Sequence, residues 1–225
     1  MKSYLIALLR HGTSEGEAEG RYIGHTDAQL TAEGRAQLRA LREEYGYPAA
    51  QAVLISPLRR CRETAEILYP GQNTIALAGL QECYFGEFEN KTAEELQNEP
   101  LFPRWLAGET GVTPPFGEEA GAFQARICTA FLSAVDGLIK TGTTRAAFIT
   151  HGGVVMALLA AFGLPEAPMH EWLTPGGCGY LLRVTPSLWM RGRKCEVIAP
   201  LPQEPAEESP EAAALWKERE AAEFL

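Results

Sequence analysis

Paired cysteines are missing from this sequence. Its 225 residues include five cysteines, an odd number, and no two stand in a C-x-x-C spacing. That pattern excludes a disulfide framework and a cysteine-built zinc site, and it fits reduced thiols. A basic excess is missing too: the formal net charge is −9, which argues against a nucleic-acid partner. Long hydrophobic runs are also missing. Tyr4 to Leu9 is too short for the apolar core of a signal peptide. The longest later run, Val154 to Leu164, falls well short of the roughly 20 residues that span a bilayer. The expectation is a cytoplasmic protein that binds neither nucleic acid nor membrane.

What is present is an ordinary globular composition, 46% hydrophobic and 22% charged, in a chain long enough to bury a sizeable core. The acidity is unevenly spread. Seven glutamates stand against Lys217 and Arg219 in residues 199–225, while Arg10, Arg21, Arg59 and Arg60 lie toward the other end. A weakly acidic body can still focus a cationic pocket on an anionic ligand.

Short runs rich in Ile, Val and Leu read as buried strands over Tyr4–Arg10, Ala52–Ser56 and Arg145–His151, with a weaker candidate over Asn73–Leu80. Thr31 is placed to cap a helix reaching about Tyr45, with Gly46 and Pro48 as its stop. Ser56 as N-cap and Pro57 at the first helical position open a second helix. Phe123, Ile127, Phe131, Ala134 and Leu138 repeat at helical spacing within Glu118–Lys140. Val154–Phe162 reads as a core helix, and "GYLLRV" and "CEVIAPL" flanking "RGRK" as a late hairpin. This alternation predicts an α/β three-layer sandwich, a largely parallel central sheet with helices on both faces. The Pro- and Gly-rich stretch from Asn98 to Glu119 reads as a loop or lid whose Phe102, Trp105 and Phe116 set the substrate. One domain is expected over residues 1–198. A linker from Ala199 to Glu208 and a helix from Ser209-Pro210 follow as an appendage over residues 199–225. That acidic helix reads as a solvated face, with contact in a homodimer as the lesser reading.

In a parallel sheet, ligands bind outside the carboxyl ends of the strands. Three such ends are chemically loaded here. The first closes on Arg10-His11-Gly12, the second leads into a helix opening with Arg59 and Arg60, and the third closes on His151-Gly152-Gly153. A helix start after Gly153 adds backbone donors and a dipole that favour an anion. Two of the chain's four histidines thus meet arginines at adjacent strand ends, as a phosphate site requires. Arginine stays charged and grips phosphoryl oxygens in two-point contacts. A neutral imidazole is a competent nucleophile toward phosphorus, and the cations stabilise charge on the equatorial oxygens. A carboxylic acid must protonate the departing alkoxide. Glu82 follows the weaker fourth strand, with Glu87 and Glu89 nearby.

"LLRHGTSEGEAEGRYIGHTDAQLTAEG", "SPLRRCRETA", "LQECYFGEFEN" and "ITHGG", in this order, resemble the histidine phosphatase superfamily, its phosphoglycerate mutase-like branch. The resemblance spans about residues 4 to 185. It implies His11 as the phosphorylated nucleophile, Arg10, Arg60 and His151 as the rest of the phosphate pocket, and Glu82 as proton donor. It also implies substrate contacts from Thr13, Glu17, Ile23, Gly24 and Gly152, besides Arg10, Arg60, Glu82 and His151. In the family's S-x-L-x-R pattern Arg59 takes the variable position. His25 and His170 are left as structural or substrate-side residues. Glu17 departs from the family, standing where an asparagine is usual. A carboxylate there repels phosphate, so Glu17 is expected to face away or to touch another part of the substrate.

The activity this resemblance implies is a phosphoric monoester hydrolase similar to the family's α-ribazole phosphatase-like members, acting on a small phosphate ester without metal or cofactor. A phosphoglycerate mutase is the rival enzyme, and it needs further cations for a substrate carboxylate. Residues 91–119 offer only Lys91 and Arg104. A non-catalytic phospho-ligand-binding protein is the rival outside catalysis. It would be expected to lose the nucleophile or the acid, and this chain keeps both.

Overall fold

In the computed structural model, which describes residues 2–203, the first strand divides its side chains between two cores. This is β1 (Tyr4–Arg10). Because side chains alternate along a strand, Tyr4, Ile6 and Leu8 join one apolar cluster and Ala7 and Leu9 the other. The chain then runs through α1 (Ala32–Glu44), β2 (Ala52–Ile55), α2 (Arg59–Leu68), β3 (Thr74–Ala76), α3 (Ala93–Leu96), α4 (Phe102–Leu106) and α5 (Ala120–Thr141). It continues with β4 (Arg145–Thr150), α6 (Gly152–Phe162), β5 (Gly163–Leu164), β6 (Gly179–Val184), α7 (Pro186–Gly192) and β7 (Cys195–Leu201).

The sheet order is β3-β2-β4-β1-β6-β7-β5, and only β6 runs against the rest. Helices α5 and α6 cover one face with Phe131, Val135, Val155 and Leu158, joined by Trp189 of α7. Helices α1 and α2 cover the other with Leu38, Cys61, Ala65 and Leu68. The three-layer α/β sandwich with a largely parallel sheet is therefore as expected. By length and composition α5 is the one described helix able to cross a membrane. Here its Phe123, Ile127 and Phe131 stripe lies in the core.

Several boundaries differ from the expectation. Helix α2 starts at Arg59 with Leu58 at the cap, because the Ser56 hydroxyl is engaged by the His151 ring instead of capping backbone. Strands β2 and β4 stop at Ile55 and Thr150, one residue early. The weak fourth strand shrinks to exposed Thr74–Ala76, followed by a 3₁₀ turn at Ala78–Leu80. The late hairpin is two adjacent antiparallel strands, β6 and β7, joined by α7 instead of a turn. Strand β7 continues to Leu201, so the domain boundary at 198 falls inside a strand and Ala199–Leu201 is not linker. The helix expected from Ser209 lies outside the described residues.

The lid also proves partly built. Within Asn98–Glu119, α4 sends Phe102 and Trp105 into an aromatic cluster with Tyr22, Phe85 and Phe88. Phe116 alone of the three expected residues stays open, 84% exposed and at φ 58°.

Phe131 is fully buried, edge to face with Phe148 and Trp189 and tilted against Phe162, an arrangement in which rings pack tightly. Phe131→Ala is expected to lower unfolding free energy by about 3–5 kcal/mol in urea titrations. A loss under about 1 kcal/mol would mean that this cluster does not organise the core.

Candidate active site

Three parallel strands end at one edge and hand their next residues to a shared pocket. His11 follows β1, its N–H still bonded to Thr150 O at 2.9 Å. His151 follows β4 as the N-cap of α6. After β2, the turn through Ser56 brings Arg60, second residue of α2, to a fully buried position.

Arg60 is the junction. Its Nη1–H donates to Thr26 O and its Nη2–H to Gly24 O, both at 2.8 Å, with Ile23 O at 3.4 Å. Its Nε–H donates to His11 Nε2 at 3.1 Å, and Nη2 meets His151 Nδ1 at 3.1 Å. A guanidinium has no acceptor atom and stays protonated. Both imidazole nitrogens facing it must therefore carry lone pairs.

The remaining protons follow. His11 holds its hydrogen on Nδ1, which donates to Gly12 O at 2.7 Å. His151 holds its hydrogen on Nε2 and donates to Ser56 Oγ at 2.8 Å. Burial above all brings the His11 pKa down to about 4; Glu17 opposes this, while Arg60 and Arg10 add to it. Burial and then Arg60 push His151 well below its ordinary value. Both rings are neutral, and the two lie edge to face with centroids 5.0 Å apart.

Glu82 closes the pocket from the strand-end turn. Its Oε2 accepts Gly153 N–H and its Oε1 accepts Cys83 N–H, both at 2.9 Å. A Cβ at Gly153 would stand 2.5 Å from Glu82 Oε1, so that glycine makes room for the carboxyl. Burial raises the Glu82 pKa, against the two backbone bonds and the nearby Arg60 and Arg10. Its backbone carbonyl takes bonds from His25 Nε2 (2.9 Å) and Arg126 Nη2 (3.2 Å), and Arg126 is itself paired with Glu118.

Arg10 donates from Nη1 to Thr174 O at 3.0 Å and from Nη2 to Glu17 Oε1 at 3.2 Å. Among the described residues its buried Nε–H has no partner. Nor do any three described His, Cys, Asp or Glu side chains gather as a metal site. The result is two guanidinium groups and two neutral imidazoles around one small volume, with the carboxyls of Glu82 and Glu17 at its wall.

Residues 6–190 match the histidine phosphatase superfamily (branch 1). The chain belongs to this superfamily. It is 29% identical to the adenosylcobalamin/alpha-ribazole phosphatase of Salmonella typhimurium, over 76% of this chain and 86% of that one. It is 27% identical to the glucosyl-3-phosphoglycerate phosphatase of Mycobacterium tuberculosis, over 80% and 83%. A solved structure from Thermus thermophilus is 34% identical, with a TM-score of 0.64 over 88% of this chain and 98% of that one.

For this histidine phosphatase, the structure brings Arg10, His11, Arg60, Glu82 and His151 together, with the Ile23 and Gly24 carbonyls on Arg60. Gly152 lies against the Arg10 head, where a Cβ would stand 3.4 Å from Nε. The Thr13 carbonyl receives Thr31 N–H at 3.0 Å and ties down the start of α1. Arg59 sits outside, paired with Glu63. Glu17 does not face away. It points into the pocket, with Oε1 on Arg10 and Oε2 3.7 Å from His11 Nδ1, because Arg10 and Ser14 supply the donors that a carboxylate needs.

Sequence reasoning missed the supports. Glu89 accepts from Gly24 N–H (3.1 Å), His25 N–H (2.8 Å) and Thr26 Oγ1 (2.8 Å), fixing the carbonyls that hold Arg60. Thr64 accepts Gly12 N–H at 3.0 Å. Only the acidic type of Glu89, in an exposed-looking run, hinted at its part.

A His11 pKa near 4 has a stability consequence. The unfolded chain binds this proton near pH 6.5 and the folded protein near 4, so His11 costs stability as pH falls through that interval. In nitrogen-15 NMR titrations, His11 is expected to remain the Nδ1–H tautomer down to about pH 4. Titration near 6.5, or an Nε2–H tautomer, would contradict this geometry.

Proposed function

We propose that this chain is a phosphomonoesterase that moves the phosphoryl group of a small phosphorylated metabolite to His11 Nε2 and then to water. One observation carries the reading: the nitrogen of His11 that faces the pocket is the one without hydrogen. A phosphoryl oxygen entering the pocket draws the Arg60 Nε–H onto itself and uncovers that lone pair. The Nε2–P bond then forms as the P–O ester bond breaks, and the electron pair leaves with the alkoxide. Glu82, kept protonated more readily by burial, gives its proton to that oxygen. In the second half, the Glu82 carboxylate takes a proton from water as its oxygen attacks phosphorus. The N–P bond breaks, its pair returns to Nε2, and phosphate and protonated Glu82 are regenerated. Arg10 and Arg60 carry the charge that gathers on the equatorial oxygens.

The two named relatives act as phosphatases, which supports hydrolysis. The fate of one of the two candidate mutase cations supports it too, since Arg104 is paired with Glu109. Near the pocket, the tilted rings of Tyr84 and His25 lie 5.1 Å apart, and exposed Leu173 precedes Thr174, whose carbonyl holds Arg10.

The test separates acid from nucleophile. In single-turnover phosphoenzyme formation, Glu82→Gln is expected to lose roughly 10²–10⁴-fold on alkyl phosphates and much less on p-nitrophenyl phosphate, whose leaving group needs no proton. Equal losses on both would remove Glu82 from the acid role. A His11→Ala protein that still hydrolyses esters at the native rate would overturn the reading.

A further inference from the structure

Glu17 is the one carboxylate in the pocket that the phosphoryl mechanism does not use. Its carboxylate is held on three sides. Oε1 takes Arg10 Nη2–H at 3.2 Å, and Oε2 takes both the N–H (3.2 Å) and the hydroxyl of fully buried Ser14. Burial alone would raise its pKa, yet the hydrogen bonds from Ser14 and Arg10 favour the charged carboxylate, so it is ionised in the empty pocket beside a neutral His11. An incoming dianion needs Arg10, and Glu17 already occupies one of that guanidinium's faces. Swinging Glu17 out would break three hydrogen bonds. Protonating it sacrifices only the pairing with Arg10, and turns the carboxyl into a neutral donor able to bond a phosphoryl oxygen.

We propose that Glu17 makes anion binding in this pocket proton-coupled: the carboxylate that holds Arg10 in the empty protein takes up a proton when a tetrahedral dianion displaces it. This rests on the phosphomonoesterase reading only for the place where the phosphoryl group sits. A like charge beside the anion raises the carboxylate pKa on binding. Affinity must then fall as pH rises, so that product phosphate leaves readily near neutrality. The other charged and titratable groups around the pocket are Arg10, His11, Arg60, Cys61, Glu82, His151 and His25, and the experiment separates Glu17 from those that titrate.

Sulfate stays a dianion from about pH 5 to 8, so its own ionisation does not intrude. Calorimetry in buffers of different ionisation enthalpy counts protons taken up on binding, and needs no turnover. Native protein is expected to take up protons and to lose about tenfold or more in sulfate affinity across that range, one pKa unit being tenfold. Glu17→Gln is expected to abolish both effects and to bind sulfate at least about tenfold tighter at the alkaline end of the range. Glu82→Gln and His11→Ala are expected to keep the uptake. The proposal is overturned by proton uptake that survives in Glu17→Gln, by weaker sulfate binding in that variant, or by loss of the uptake in Glu82→Gln. If Glu17→Gln does not fold, the native protein still decides, since zero uptake across the same range also overturns the proposal. Failure of the phosphohistidine reading shows separately, as hydrolysis by His11→Ala.

Discussion

A guanidinium with no exposed surface, set between two imidazole lone pairs, is the constraint around which the pocket is arranged. Removing a charge from water costs several kcal/mol unless partners replace the water. Arg60 has carbonyls of Thr26, Gly24 and Ile23 and two ring nitrogens as its replacements, and none of those bears a full negative charge. Arg60 is therefore short of an anion by construction. The same bonds decide where the histidine protons sit, so one residue sets both the charge of the pocket and the identity of the nucleophilic nitrogen.

The fold keeps that arrangement dry and fixed. Strands β1, β2 and β4 are buried on both faces by separate apolar clusters, so their ends cannot shift without disturbing two cores. Glu89 ties the loop carrying the Arg60 carbonyls, while Arg126 and His25 hold the Glu82 backbone. Thr150 Oγ1 bonds Leu80 O at 2.7 Å and ties the turn before Glu82 to the strand that delivers His151. Carboxyl, nucleophile, cations and the second histidine thus reach the pocket from four segments far apart in the chain.

Local patterns made most of the frame legible. β1 matches its apolar run residue for residue, and α1 takes Thr31 as its cap with the side chain accepting Gly34 N–H at 2.9 Å. The chemical residues at the strand ends were legible because parallel sheets place them together and because R-H-G, S-x-L-x-R and H-G-G each repeat a shape. What stayed hidden depended on side-chain contacts outside the regular elements, some of them to distant partners. Ser56 looks like a cap until His151, 95 residues on, takes its hydroxyl. Glu17 looks misplaced beside phosphate until Arg10 and Ser14 are seen to hold it. Phe102 and Trp105 look like a substrate-facing lid until Tyr22 and Phe88 are seen to pack against them. A sequence window cannot show these contacts, since none lies within one helix or strand.

The central claim is that His11 attacks phosphorus with Nε2. Its most direct measurement is a rapid-quench pulse with a phosphate ester, stopped in alkali where phosphohistidine survives, followed by peptide mapping and phosphorus NMR. The account requires a phosphoryl group on His11 bonded through Nε2. A phosphoryl group on Nδ1, on His151 or on another residue, or burst kinetics with no labelled protein, would contradict it.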